Sequence, residues 1–279
     1  VRGQNWYADA AGSVVNKAAV ERHQLLIRPL RNYATELTSA LDRSDFDCTR
    51  RQLRHWANSG ALLDQPTNFA GQRERLRFGT AIGFAALRLR AQRGSLDASV
   101  KDWLRKLGSA TAKDFENRGV TDNLFVWSGM NSALAWKLTG DPELGRSAKG
   151  VLARSTAQIR RDGLIASELR RETRSLLYHS YYLSGLLLLT AVLPGSGKDD
   201  DAIRRLAKRV AAGTCAPGAF PGGQPQAAPN QNDLVTIAHL GTAFGGKRPC
   251  GLLNMRLYDP LRGGRVQTGL DLLRGRGRP

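Results

Sequence analysis

Apolar residues keep helical spacing along most of this 279-residue chain, and no run alternates as a strand would. That periodicity restricts the fold to helix packed on helix. It is clearest between residues 169 and 189, where it predicts one long helix that begins near Ser167 and stops at Leu193-Pro194-Gly195. On such a helix Arg171, Arg174 and Tyr178 stand at offsets of three, four and seven, which places them on one face over two turns. A phenol beside two guanidiniums can move a proton while the guanidiniums hold an anion.

The remaining helices follow in series. Asn16 is placed to cap a helix over 16–41 that Pro29 should kink or split. Further helices are expected over 47–63, 72–93 and 99–117, with a loop over 64–71. The next starts at Asp122 or Asn123 and ends before Gly140, and Asp141-Pro142 is a strong start for another that runs to Arg161. Asp162-Gly163 reads as a turn, and a basic helix covers 199–212. Residues 214–230 are rich in Gly, Pro, Ala and Gln, and a short helix is expected over 234–240. The class is therefore all-α, and serial antiparallel hairpins fit a bundle, a solenoid or an α/α toroid. Residues 1–245 form the expected domain. Residues 246–279 carry eight basic and two acidic side chains among Gly and Pro and are expected to be a poorly ordered tail.

The net charge of +18 points to a polyanionic partner: nucleic acid, an anionic membrane or an acidic polysaccharide. No phosphate-binding loop, dinucleotide fingerprint, zinc-protease or serine-hydrolase motif is present. No apolar run reaches the roughly eighteen residues of a membrane span. His23, His55, His179 and His239 are not spaced as a metal pair, so no metal is expected. Cys215 and Cys250 flank a loop-rich segment and could equally be a disulfide or two free thiols, with Cys48 left over. The chain opens at Val1 without Met, which is compatible with a processed product.

Several blocks resemble a known family. DNLFVWSGMNSALAW, followed by DGLIASELRRETRSLLYHSYYLSG, is similar to the paired motifs of alginate lyases of polysaccharide lyase family 5. YADAAGSVVNKAAVERHQLLIRPLRNYA, CTRRQLRHWANSGALL and GQRERLRFGTAIGFAALRLR resemble that family's preceding segments in the same order. The likeness covers residues 7–195 and fades beyond them. It implies an incomplete α/α toroid with a deep cleft, and β-elimination at the 4-O-linkage of a uronate polymer without a cofactor.

The same resemblance assigns roles. Tyr178 matches the catalytic Tyr, and Asn123 and Arg171 match the residues that neutralise the substrate carboxylate. Arg174 shares the Arg171 face and should help favour the Tyr178 phenolate. The segment 64–75 falls where the family is expected to carry a lid, which would bring Gln72, Arg73 and Arg75 to substrate. Trp127 and Tyr182 are expected to stack on sugar, and His179 to stand behind Tyr178. Leu124 replaces the family's catalytic His, and His55 is a candidate to compensate. Tyr alone suffices for syn elimination on mannuronate or glucuronate, whereas guluronate needs a second group. The alternative is an inactive polyuronate-binding protein. The expected setting is periplasmic or secreted, as a monomer, with an anionic polysaccharide as partner. A nucleic-acid role for the basic tail and a membrane span are disfavoured.

Overall fold

A computed structural model describes residues 6–9, 14–193, 201–244, 247–253 and 257–273. Twelve α-helices are described: α1 (Lys17–Leu26), α2 (Arg28–Asp42), α3 (Phe46–Asn58), α4 (Phe69–Arg93), α5 (Ala98–Glu116), α6 (Asn123–Thr139), α7 (Pro142–Ala157), α8 (Ala166–Leu169), α9 (Ser175–Val192), α10 (Asp201–Cys215), α11 (Gln231–Leu240) and α12 (Val266–Leu273). Among the described residues the only strands are β1 (Tyr258–Asp259) and β2 (Gly264–Arg265), a short antiparallel pair.

Two kinds of helix alternate. In α4, α6 and α9 buried residues occur on every side, as a helix surrounded by protein requires. The others show one apolar stripe: Val100, Trp103, Leu104 and Leu107 on α5, Leu144, Ala148, Val151 and Leu152 on α7, Ile203, Leu206, Ala207 and Val210 on α10. The helix α6 packs on α4, α5, α7 and α9, and α9 packs on α6, α10 and α11. The result is an incomplete α/α toroid, with α4, α6, α9 and α11 inside and α2, α3, α5, α7 and α10 outside. Gly129 lets α6 and α7 approach closely, since a Cβ there would lie 2.5 Å from Val151 Cγ1.

The caps expected at Asn16, Asp122 and Asp141 are present, the one expected at Ser167 is not, and three others were not anticipated. Asn16, Asp45, Asn68, Asp122, Asp141 and Asn230 each accept a backbone N–H in the first turn of the helix they precede. The break expected near Pro29 falls at Ile27, with Pro29 in the first turn of α2.

Two expectations are corrected. The helix expected as one piece from Ser167 is broken into α8, a 3-10 turn at Glu172–Arg174, and α9. Glu172 has φ +49°, outside the helical region. The loop after α10 supplies the replacement hydrogen bonds: Ala227 N donates to Thr173 O at 2.6 Å, and Gln226 accepts from Leu176 N at 2.9 Å. The residues read as a tail are also ordered where described. Arg88 donates to Gly263 O at 2.5 Å and to Asp42 at 2.7 Å, the Tyr258 hydroxyl lies 2.7 Å from Thr38 Oγ1, and Arg262 is buried. Residues 274–279 lie outside the described residues. Among the described residues one stretch, Glu172–Val192, is long and apolar enough to cross a membrane, with mean hydropathy 1.2, but its burial agrees with the expectation that the chain has no membrane span. It is the core helix of the toroid, with 72% of its apolar window buried.

Candidate active site

An outer helix returns the chain between successive inner helices, so α4, α6, α9 and α11 point the same way. Their N-terminal turns meet at one cleft of about 560 Å³. Phe69, Arg73 and Arg77 come from α4, Asp122, Asn123, Leu124 and Trp127 from the start of α6, Tyr178 and Tyr181 from α9, and Asn230 and Asp233 from the start of α11. Each helix N-terminus carries about half a positive charge. Together with Arg118, Arg171, Arg174 and Arg262 on the walls, they make a site for an anion.

The Tyr178 side chain stands between two guanidiniums, with Arg171 Cζ 4.8 Å and Arg174 Cζ 5.7 Å from its ring centroid. Arg174 Cζ also lies 5.4 Å from the Tyr7 ring. Among the described residues Arg174 makes no ion pair, which leaves its charge available to a ligand. The hydroxyls of Tyr178 and Tyr7 are hydrogen-bonded to each other. Burial raises the Tyr178 pKa, and Tyr7 adds to the rise; Arg174 and Arg171 oppose it without prevailing. The expectation that the two arginines would favour a resting phenolate is therefore corrected: Tyr178 rests as a phenol.

Trp6, Tyr7 and Asp9 also line the cleft, and residues 6–8 pair antiparallel with 14–16. Tyr7 bridges Val15, and Asn16 N donates to Trp6 O at 2.8 Å. Trp6 is clasped between Arg73, whose Cζ is 3.7 Å from its ring, and the edge of His23, centroids 4.7 Å apart. Below them lies Glu74, fully buried, 3.2 Å from His23 Nε2, 3.1 Å from Arg73 Nε and 3.0 Å from Arg77 Nη1.

Across the cleft, Glu168 of α8 is fully buried. It accepts from Asn123 N at 2.8 Å and from Asn123 Nδ2 at 3.2 and 3.3 Å, and Arg171 Nε is 3.8 Å away. Burial and the nearby Asp122 raise the Glu168 pKa to about 7. At the far end Arg262 pairs with Asp233, lies 3.5 Å from Asp259 and sits 5.2 Å from the Trp127 ring. Trp127 stacks on Tyr181 with centroids 4.9 Å apart.

The family model for alginate lyase matches residues 80–220, slightly more than half the chain. The chain belongs to the alginate lyase family. It is 27% identical over 237 residues to a polysaccharide lyase of Stenotrophomonas maltophilia, covering 79% of this chain and 72% of that protein. An alginate lyase of Azotobacter vinelandii is 27% identical over 240 residues, covering 76% of this chain and 63% of the relative. The chain thus spans less than two thirds of the Azotobacter protein. In three dimensions it matches a histidine-to-alanine variant of alginate lyase A1-III complexed with a tetrasaccharide, with TM-score 0.77, 20% identity, and coverage of 99% of this chain and 82% of the other. The parent alginate lyase A1-III from Sphingomonas species A1 gives TM-score 0.74 at 20% identity, over 100% of this chain and 84% of that one.

Of the residues that the family resemblance singled out, Tyr178, Arg171, Arg174, Asn123, Trp127 and Arg73 line the cleft, with Leu124 beside them. Others do not. His179 is buried away from the cleft, where Nε2 accepts from Ile165 N at 3.0 Å and Nδ1 lies 2.8 Å from Ser175 O. Burial lowers its pKa to about 4. The Tyr182 hydroxyl is buried and donates to Ser155 O at 3.0 Å. His55 is exposed on outer helix α3. The expected lid is corrected as well: α4 begins at Phe69, so Gln72 and Arg75 are helical and turn outward to Asp114 at 3.5 and 3.0 Å. From the N-terminal segment, Trp6, Tyr7 and Asp9 line the cleft. Sequence reasoning also missed Arg77, Arg118, Glu168, Asp233 and Arg262 in or beside the cleft. Only Glu168 offered a signal, three residues before Arg171 on the motif itself.

Proposed function

We propose that the protein is a polysaccharide lyase that cleaves a mannuronate- or glucuronate-containing polyuronate by β-elimination. The observation that supports this best is Tyr178, set between Arg171 and Arg174 where four helix N-termini converge. Arg174 and Arg171 receive the uronate carboxylate, and their charge stabilises the enolate-like dianion that forms when the C5 proton leaves. Tyr178 takes that proton as phenolate and returns it to the departing O4. On mannuronate or glucuronate both positions are on one side of the ring, so one phenol serves both steps. Leu124, on the cleft wall, contributes no proton transfer, which supports syn over anti elimination. Trp127 and Tyr181 offer an aromatic face for a flanking sugar. The disulfide between Cys215 and Cys250 supports a periplasmic or extracellular setting.

The test is growth of unsaturated-uronate absorbance with polymannuronate, glucuronan and polyguluronate. Activity is expected on the first two and to rise with pH above neutral, because burial and Tyr7 hold Tyr178 as the phenol. Tyr178→Phe should lose about 10²- to 10⁴-fold in rate with binding retained. If every polymer stays flat while binding is measurable, the cleft binds polyuronate without cutting it and the lyase reading fails.

A further inference from the structure

Glu168 lies behind the cleft, outside the groups placed on substrate, yet it touches two of them. An Asn amide can face a partner with either its nitrogen or its oxygen. A carboxylate can only accept, so Glu168 fixes which end of Asn123 it meets: Nδ2 lies 3.2 and 3.3 Å from its two oxygens. The two distances are nearly equal, as when one N–H is shared between both oxygens. The other N–H of the same amide is left for a ligand, and Asn123 lines the cleft. The same carboxylate attracts Arg171 Nε at 3.8 Å, across the break between α8 and α9. The Arg171 guanidinium in turn lies over the Tyr178 ring.

We infer that Glu168 is a positioning residue for the elimination: its buried carboxylate sets the amide orientation of Asn123 and anchors Arg171, so that both present N–H donors to the uronate carboxylate. The inference rests on the lyase reading given above. Its environment is defined on every side. Asp122 faces it from the start of α6 and is itself held by Arg118 at 3.5 Å. Arg171 faces it from the turn after α8, and Tyr182 from α9, with its hydroxyl committed to Ser155 O. One cation close by does not offset burial and a neighbouring carboxylate, and Glu168 loses its proton only near pH 7. A neutral Glu168 can donate as well as accept, and then no longer dictates the amide orientation or attracts Arg171. The ionised form is the one that positions, so activity should fall as pH drops through about 7.

The test compares the native protein, Glu168→Gln and Glu168→Asp on polymannuronate across pH 5.5–9 (about this range brackets the expected midpoint). Glu168→Gln keeps the size but can present a donor. It should lose at least about tenfold in kcat, with KM changed less, since the donors act on charge that grows in the transition state. Its acid limb near pH 7 should disappear, and Glu168→Asp should keep a limb. A merely structural role would lower thermal stability and leave the limb in place. A folded Glu168→Gln protein with native kcat and an unchanged limb overturns the inference. If the native protein cuts no polyuronate, the lyase reading has failed separately. Positioning is then read from the side-chain amide resonance of Asn123 in free protein. A titration near pH 7 that vanishes in Glu168→Gln supports the inference, and no titration in the native protein overturns it.

Discussion

Glu74 is the best place to measure what the cleft's charge arrangement contributes to folding. It lies on α4 with no exposed surface, and His23, Arg73 and Arg77 converge on its two oxygens at 3.2, 3.1 and 3.0 Å. Burial alone would raise its pKa; Arg77, His23 and Arg73 outweigh burial and hold it at about 2, against an ordinary 4.5. At ~1.4 kcal/mol per pH unit, that difference corresponds to about 3 kcal/mol of stability at neutral pH. Because the folded-state value is depressed, the contribution is present above pH 4.5 and is lost as pH falls through 2. Glu74→Gln keeps the shape and removes the charge. Urea unfolding at pH 7 should show a loss of about 3 kcal/mol, in line with the ~3–5 kcal/mol expected when a buried ion cluster loses one partner. At pH 3 the difference should shrink to about 1 kcal/mol, since most of the native advantage has by then been titrated away. A loss of the same size at pH 7 and pH 3 would refute the electrostatic reasoning and assign the effect to packing.

Three further outcomes are expected. Replacing Cys250 by Ser opens the Cys215–Cys250 bridge, whose partners are 35 residues apart, and should cost about 3–4 kcal/mol in denaturant unfolding, with Cys48→Ser as a control that changes little. Gly129→Ala would place a Cβ 2.5 Å from Val151 Cγ1 and should destabilise by about 1–3 kcal/mol, visible as a lower melting temperature; an unchanged melting temperature would mean that α6 and α7 separate without cost. Leu124→His introduces a second proton-transfer group on the cleft wall and should add cleavage of polyguluronate while leaving polymannuronate cleavage in place, measured by the same absorbance assay; no gain on polyguluronate would show that position 124 does not face C5.

The sequence by itself determined the helices, their caps and the chemistry of the motif. Helical spacing and end signals are local properties, so Asn16, Asp122 and Asp141-Pro142 placed helix starts without knowledge of the fold. The residues of the paired motifs likewise identified Tyr178, Arg171 and Asn123, and the structure brings all three to one cleft. What the sequence left undecided depends on contacts between segments far apart along the chain. Nothing local breaks the helix at Glu172; Gln226 and Ala227 do so by offering its backbone other hydrogen bonds. Composition made 246–279 look like a tail, because Arg and Gly read as solvated until Asp233 is brought beside Arg262 and Arg88 beside the Gly263 carbonyl. Helical position alone did not show that Gln72 and Arg75 turn to Asp114 on α5 while Arg73 and Arg77 turn to the cleft. The ionisation of the site was decided only in three dimensions. Two flanking arginines suggested a phenolate at Tyr178, but the pKa of a buried group reflects everything that replaces its water. Here that includes Tyr7, 171 residues away in sequence, whose hydroxyl helps hold Tyr178 as the phenol, which must lose its proton before it can act as the base.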